Sequence, residues 1–329
     1  MANCFFSRAV LSIVALTFVE SCPADWYRRD DAIMGTRIHV EVWHDDALVA
    51  ERAIDAAMVE MRRIDALMSS YLVTSPLSQL NRDAAVGWSV ADVEIYNLTK
   101  LSVIYSELSG GAFDVTFAAV GQLYDLRAHV RPTPARIAEK LPAVGYDKLE
   151  FDDVHHALRY RNKDTQIGLG GIAKGYAVDN AIAAIKHLGV ESALVMAGGD
   201  TYVLGDKRGR PWNVGIKHPR RNDEVFAIVP LVESAISTSG DYERFFDENG
   251  IRYHHIIDTK TGDSARLCQS VTIIAPNSTT SDALSTTVFV LGPEKGMALV
   301  EKLPGIDAVI IDAQGKMTVS AGLKNLSVR

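Results

Sequence analysis

The chain has 329 residues, 47% of them hydrophobic and 23% charged, with a formal net charge of -7. That is ample apolar material for a large buried core and the wrong composition for a disordered chain. The acidic balance, with lysines and arginines scattered singly or in pairs such as Lys207-Arg208 and Arg220-Arg221, argues against nucleic acid as a partner.

The first residues differ in kind. Arg8 precedes the apolar run Ala9 to Val19, too short to span a bilayer as a mature helix, so residues 1–21 read as a secretory signal. The run ends Val19-Glu20-Ser21-Cys22, which resembles a bacterial lipobox with Cys22 as the lipidated residue; a soluble exported protein cleaved nearby is the alternative. Cleavage removes Arg8 and Glu20 together, so the charge stays at -7. With Cys22 carrying lipid, only Cys268 is left of the three cysteines and no intrachain disulfide forms.

Residues 22–31 read as a polar linker, and 32–329 as a single domain. Thr36 to Trp43 alternates and is β-branched, a strand; Ala47 to Leu67 has apolar residues at helical spacing; Ser75 to Asn81 is a short helix. Ser89, with Asp92 three residues on, resembles a capping box opening a helix to Leu108, which Gly110-Gly111 stops. Thr133 to Leu141 is a short helix, and Leu149 to Asp152 with Ala157 to Arg161 form a hairpin whose turn holds His155 and His156. Ile172 to Leu188 is a helix, and Ser192 to Leu204 a strand interrupted at Gly198-Gly199-Asp200. Strands follow at Trp212–Ile216, Ala227–Leu231, Ala235–Thr238, Arg252–Asp258 and Ser270–Ile274. Helices over Ser281–Leu291 and Glu294–Leu303 precede a closing hairpin, Ala308–Ile311 and Met317–Ser320. Strands and helices mix without βαβ alternation, which favours α+β with mixed or antiparallel sheets and flanking helices.

Three stretches carry chemistry. Gly168 to Asp179, GLGGIAKGYAVD, leads a glycine turn into a helix, where unpaired N–H groups, the helix dipole and Lys174 suit an anion. Its Gly168-x-Gly170-x-x-Ala173 spacing imitates a dinucleotide fingerprint, but no buried strand precedes it and no acidic residue ends a second strand about twenty positions on. Asp282 and Thr286 are four apart and share a helix face, hard oxygen donors suited to Mg2+; a helix-capping Asp and a packing Thr are the alternative. In His254-His255-Ile256-Ile257-Asp258, strand alternation lets at most one histidine enter a site.

Met34-Gly35-Thr36, Ser70-Tyr71, Gly111-Ala112-Phe113-Asp114, LGGIAKGYAVD, Gly198-Gly199-Asp200, HIIDTKTG and SDALSTTVFVLG, in this order, resemble the FAD:protein FMN transferases, the ApbE family, over about Ala32 to Gly292. The resemblance implies two lobes around a central FAD cleft and Mg2+-dependent transfer of FMN from FAD to a Thr or Ser hydroxyl of an acceptor protein, with release of AMP. It implies FAD contacts at Met34, Tyr71, Ala112, Phe113, Asp114, Lys174 and Ile257, metal ligation by the Gly171 carbonyl, Asp282 and Thr286, and His255 as acceptor of the hydroxyl proton, with Asp282 or bound water as alternatives. The acceptor would be a flavoprotein subunit of a membrane redox complex, met at the periplasmic face of the inner membrane by an enzyme anchored through Cys22. FAD hydrolysis to FMN and AMP, or FAD binding without chemistry, are the competing readings.

Two positions depart from the family pattern. Gly168 stands where Asp is usual, with Asp164 as the nearest substitute, and an aspartate reinstated there is expected to tighten FAD binding. Thr259 stands where Pro is usual, which loosens a turn.

Overall fold

The computed structural model describes residues 25–221 and 224–324. The expected signal segment and Cys22 lie outside the described residues. The linker expected over 22–31 is, from Asp25 onward, strand β1 (Asp25–Ile33). Its charges are matched laterally: Arg29 ion-pairs with Glu51 and Asp55, and Asp31 with Arg62, all on helix α1 (Ala47–Met68). A strand this polar is stable at a sheet edge, where charges also deter unwanted pairing. It joins β2 (Thr36–His44) through the two-residue turn Met34-Gly35, at φ 55° and 67°, the left-handed geometry that suits strand twist in a tight hairpin.

Ser75 caps α2 (Pro76–Ala84), its Oγ accepting from Ser78 N–H at 3.0 Å. Ser89 does not cap the next helix. It is taken into a short strand, β3 (Ser89–Val90), and the carboxylate of Asp92 caps α3 (Val93–Ser109) by accepting from Glu94 N–H at 2.8 Å. Gly110, at φ 60°, ends that helix. Two small helices, α4 (Ala118–Gly121) and α5 (Pro134–Lys140), lead to the hairpin β4 (Leu149–Asp152) and β5 (Ala157–Tyr160), with both histidines in its turn.

Helix α6 (Ala173–His187) is followed by β6 (Ala193–Ala197) and β7 (Asp200–Leu204), then the separate hairpin β8 (Trp212–Lys217) and β9 (Val225–Leu231). Strand β10 (Ser234–Gly240) precedes the hairpin β11 (Phe245–Glu248) and β12 (Ile251–His254). The strand expected to continue to Asp258 ends at His254 because its partner begins at Phe245 and Ser264 Oγ takes the His254 N–H. After β13 (Cys268–Ala275) comes α7 (Ser278–Val300), broken at Gly292, φ 81°, before Pro293, so two helical segments lie where two were expected. Strands β14 (Asp307–Asp312) and β15 (Met317–Val319) close the fold.

The main sheet runs β1-β2-β6-β7-β10-β13-β14-β15, every neighbouring pair antiparallel. One face carries α1, α6 and α7 over a core that includes Ile38, Val40, Met58, Ile182, Val195, Ile273 and Phe289. The other face is covered at Val203, Ile236 and Val309 by Trp212, Ile216 and Val229 of the β8–β9 hairpin. This is the α+β architecture expected, and alternation along β7 and β10 turns Asp200, Ser237 and Ser239 toward the helices. Among the described residues no helix is long and apolar enough to cross a membrane.

Candidate active site

The site lies where α6 and α7 cross. Gly175 makes the crossing possible, since a Cβ there would stand 2.2 Å from the Ser278 carbonyl oxygen and 2.8 Å from Asp282 Cβ. At the upper end Asp179 of α6 caps α7, its carboxylate accepting from the N–H groups of Ser278 and Thr279 at 2.8 Å each. At the lower end the Gly175 N–H donates to Asp282 Oδ2 at 2.9 Å. One helical turn beyond Asp282, Thr286 faces the glycine turn: a Cβ on Gly171 would lie 3.4 Å from Thr286 Oγ1 and 3.3 Å from the Phe113 ring. Ile172 gives the start of α6 no side-chain cap of its own; the Asp282 carboxylate from α7 takes the Gly175 N–H instead, and the Leu169 carbonyl takes that of Ala173.

Lys174, in the first turn of α6, carries the charge of this wall. Its Nζ lies 2.7 Å from Asp200 Oδ2 and donates to Asp282 Oδ1 and Oδ2 at 3.2 and 3.3 Å. Burial opposes the ammonium, but the two carboxylates outweigh it and hold the lysine firmly protonated. Asp282 is 2% exposed; desolvation and then the Asp200 charge push its carboxyl up to about 7, against the pull of Lys174. One lysine thus faces two buried carboxylates, and Asp282 holds a proton that a bound cation would displace. Among the described residues no three His, Cys, Asp or Glu side chains gather as a metal site. The expected donor set is of another kind, one carboxylate, one hydroxyl and one carbonyl. The residues present fit a hard divalent cation: all are oxygen donors, one of them a carboxyl that the cation's charge would ionise. Ser239 Oγ supports the set from β10, 2.8 Å from Ser285 Oγ and 3.3 Å from Thr286 Oγ1.

The other expected residues lie on separate loops. Ala112 and Phe113 are buried after the hinge at Gly110-Gly111. Asp114 is buried as well, and both its oxygens are engaged: Oδ1 accepts from Thr116 N–H and Oγ1 at 2.9 and 2.6 Å, Oδ2 from Tyr146 N–H at 2.6 Å. Its side chain therefore shapes the loop, and burial raises its pKa. Met34 sits in the β1–β2 turn with its N–H donating to Asp65 Oδ2 at 3.3 Å. Tyr71 is 83% exposed on the loop between α1 and α2. Ile257 is buried and bridges to Ser264.

The two histidines divide as alternation predicts. His254 is buried, with Nε2 2.7 Å from the Ala265 carbonyl. His255 stands at the surface, its N–H donating to the Arg244 carbonyl at 3.2 Å. Loss of solvation among its neighbours, followed by the charges of His254, Arg244 and Lys174, draws its pKa below the ordinary histidine range. Thr259, in place of the usual proline, donates through Oγ1 to the Gly111 carbonyl at 2.5 Å, so the turn is tied rather than loosened. Gly168 is buried, and a Cβ there would meet Ala118 Cβ at 3.0 Å. Asp164 pairs with Lys140 at 3.0 Å and is not a stand-in for the missing aspartate.

Sequence reasoning passed over two residues. Asp200 was visible as a charge opening the otherwise uncharged strand DTYVL. Arg244 had no signal: its guanidinium reaches the Gly35 carbonyl at 3.3 Å and has no ion-pair partner among the described residues.

The sequence profile of the ApbE family matches residues 34–310, nearly the whole described chain. The chain belongs to the ApbE family. A FAD:protein FMN transferase of Treponema pallidum is 33% identical over 98% of this chain and 95% of its own length. One from Haemophilus influenzae is 32% identical over 82% of each. The crystal structure of the Thermotoga maritima ApbE protein superposes with a TM-score of 0.85 at 35% identity, covering 92% of this chain and 99% of that one. The flavin transferase ApbE from Vibrio cholerae gives 0.82 at 26% identity, covering 93% and 100%. The fold is therefore the ApbE fold, with the Asp282, Thr286 and Gly171 wall inside the matched region.

Proposed function

We propose that the chain is an FAD:protein FMN transferase that moves FMN from FAD to a Thr or Ser hydroxyl of an acceptor protein and releases AMP. The observation that carries this reading is the convergence of Gly171, Lys174, Asp282 and Thr286 at the N-terminus of α6, in a chain matched over 98% of its length by an enzyme of that name.

Magnesium, held by the Gly171 carbonyl, Asp282 and Thr286, would neutralise charge on the FAD pyrophosphate. Lys174 and the α6 N-terminus lie against the same charge, and Arg244 offers a guanidinium not already spent on a carboxylate. Tyr71, Phe113, Ala112, Met34 and Ile257 supply apolar surface for the flavin and adenine. His255, neutral and exposed, is able to take the hydroxyl proton as the acceptor oxygen bonds to the FMN phosphorus and the bond from that phosphorus to the bridging oxygen breaks, AMP leaving with that oxygen. Phosphoryl transfer depends on such alignment and charge neutralisation more than on covalent help. Export, lipid anchoring at Cys22 and an acceptor subunit of a membrane redox complex complete the proposal.

The test incubates the protein with FAD, Mg2+ and a candidate acceptor, and looks for denaturation-resistant flavin fluorescence with an FMN mass increment. AMP and free FMN without a labelled acceptor would make it a pyrophosphatase, and unchanged FAD a binding protein. Fractionation of cells expressing wild-type or Cys22→Ser protein tests the anchor: equal release of both into the soluble fraction refutes it.

A further inference from the structure

Asp200 belongs to none of the roles above, yet it is buried, faces the helix layer and approaches Lys174 more closely than Asp282 does, 2.7 Å against 3.2 and 3.3 Å. Its Oδ2 ion-pairs with the ammonium without meeting hydrogen-bond alignment, whereas both oxygens of Asp282 accept from the same nitrogen. Gly199 lets β7 close on β10 at this point, with a Cβ there 2.5 Å from the Thr238 carbonyl oxygen, so Asp200 is fixed by backbone packing on the far side of the lysine. Asp282 is therefore shared between an internal cation and whatever ligand it is meant to hold. If Asp282 is to bind a metal, Lys174 must yield its place. Among the described residues, Asp200 is the other carboxylate in ion-pair reach of the lysine.

We propose that Asp200 is a positioning residue that takes the Lys174 ammonium from Asp282 when a divalent cation binds, keeping the lysine charged and in place beside the substrate phosphates. This rests on the reading of Asp282 as a cation ligand. A small shift of the ammonium away from Asp282 is all the exchange needs, since its nitrogen already lies 2.7 Å from Asp200 Oδ2. Without Asp200 the lysine has a single partner, and a buried ion pair with one carboxylate is a direct competitor for the cation.

The experiment titrates Mg2+ into the full chain, freed of metal by chelation, and follows binding by calorimetry in wild type, Asp200→Asn, Asp200→Glu, Lys174→Met and the double variant Asp200→Asn with Lys174→Met. Asp200→Asn should weaken Mg2+ binding about tenfold, Asp200→Glu should restore most of it, and in the Lys174→Met background Asp200→Asn should change affinity by less than about twofold, because the competitor is gone. Wild-type affinity in Asp200→Asn overturns the proposal. So does an equal loss in both backgrounds, which would mean that Asp200 acts through its own charge. A wild-type chain that binds no divalent cation removes the metal reading and this inference together, whereas the other two failures leave the metal reading intact. Thermal melts of each variant separate these outcomes from loss of fold.

Discussion

Gly175→Ala tests the geometry of the site without replacing any side chain in it. The added Cβ would stand 2.2 Å from Ser278 O, 2.6 Å from Ser278 C and 2.8 Å from Asp282 Cβ. An ordinary carbon–oxygen contact is about 3.3 Å or more, so α6 and α7 must part by roughly 1 Å. Two of the three obstacles are helix backbone and the third is a Cβ fixed to it, so no rotamer change relieves them, placing the cost at the upper end of overpacking, about 3 kcal/mol. At about 2–4 °C per kcal/mol for domains somewhat smaller than this one, melting should fall by roughly 6–12 °C. The parting also stretches the 2.9 Å bond from Gly175 N–H to Asp282 Oδ2 and moves Asp282 from Gly171 and Lys174. Mg2+ affinity should drop together with stability, measured by calorimetry and thermal denaturation on the same preparation. A variant melting within about 2 °C of wild type with unchanged Mg2+ affinity would refute the close crossing and its role in holding the carboxylate.

His255→Ala should lower kcat for flavin transfer by about 10²- to 10⁴-fold while leaving FAD affinity within about twofold; an unchanged kcat removes His255 as proton acceptor. Arg244→Ala should weaken FAD binding by about tenfold, read by quenching of flavin fluorescence, with Arg244→Lys intermediate. In the folded, cation-free chain Asp282 keeps its proton up to about pH 7, against 3.8 when unfolded. The folded state therefore binds the extra proton between those values, so this group's contribution to stability falls as pH rises through the interval. Chelator-treated protein should melt lower toward pH 7 and gain most from Mg2+ there, and identical pH dependence in Asp282→Asn contradicts the assignment. Gly168→Asp should cost about 1 kcal/mol through its contact with Ala118, detected as a lower melting temperature, rather than tighten FAD binding as the family pattern suggests.

Legibility in the sequence followed the range of the interactions involved. TRIHVEVW reads as a strand because one face enters the core and alternation records it locally. DWYRRDDAI does not, because the partners that tolerate its charges, Glu51, Asp55 and Arg62, lie on a helix still to come. Asp282 and Thr286 announce a shared face by spacing alone, while the charge balance that suits them to a cation depends on Asp200 and Lys174, joined only by folding. Asp114 shows the reverse case. Its place in the family motif points to ligand contact, and the structure finds its oxygens committed to Thr116 and Tyr146. Arg244 lies outside the motifs that carry the resemblance, and only the Gly35 turn and the His255 backbone place it in the site.

The bond from Thr259 Oγ1 to the Gly111 carbonyl couples two loops that the sequence keeps far apart. One carries Ala112 to Asp114, the other His255 to Ile257, so a single threonine side chain in place of a proline fastens together two stretches that carry expected site residues. Helices α6 and α7 are fastened to each other in the same way at Asp179 and Gly175. Thr259→Val, which removes the bond and keeps the shape, should cost about 1 kcal/mol, read as a lower melting temperature, and an unchanged melt would show that the bond ties nothing.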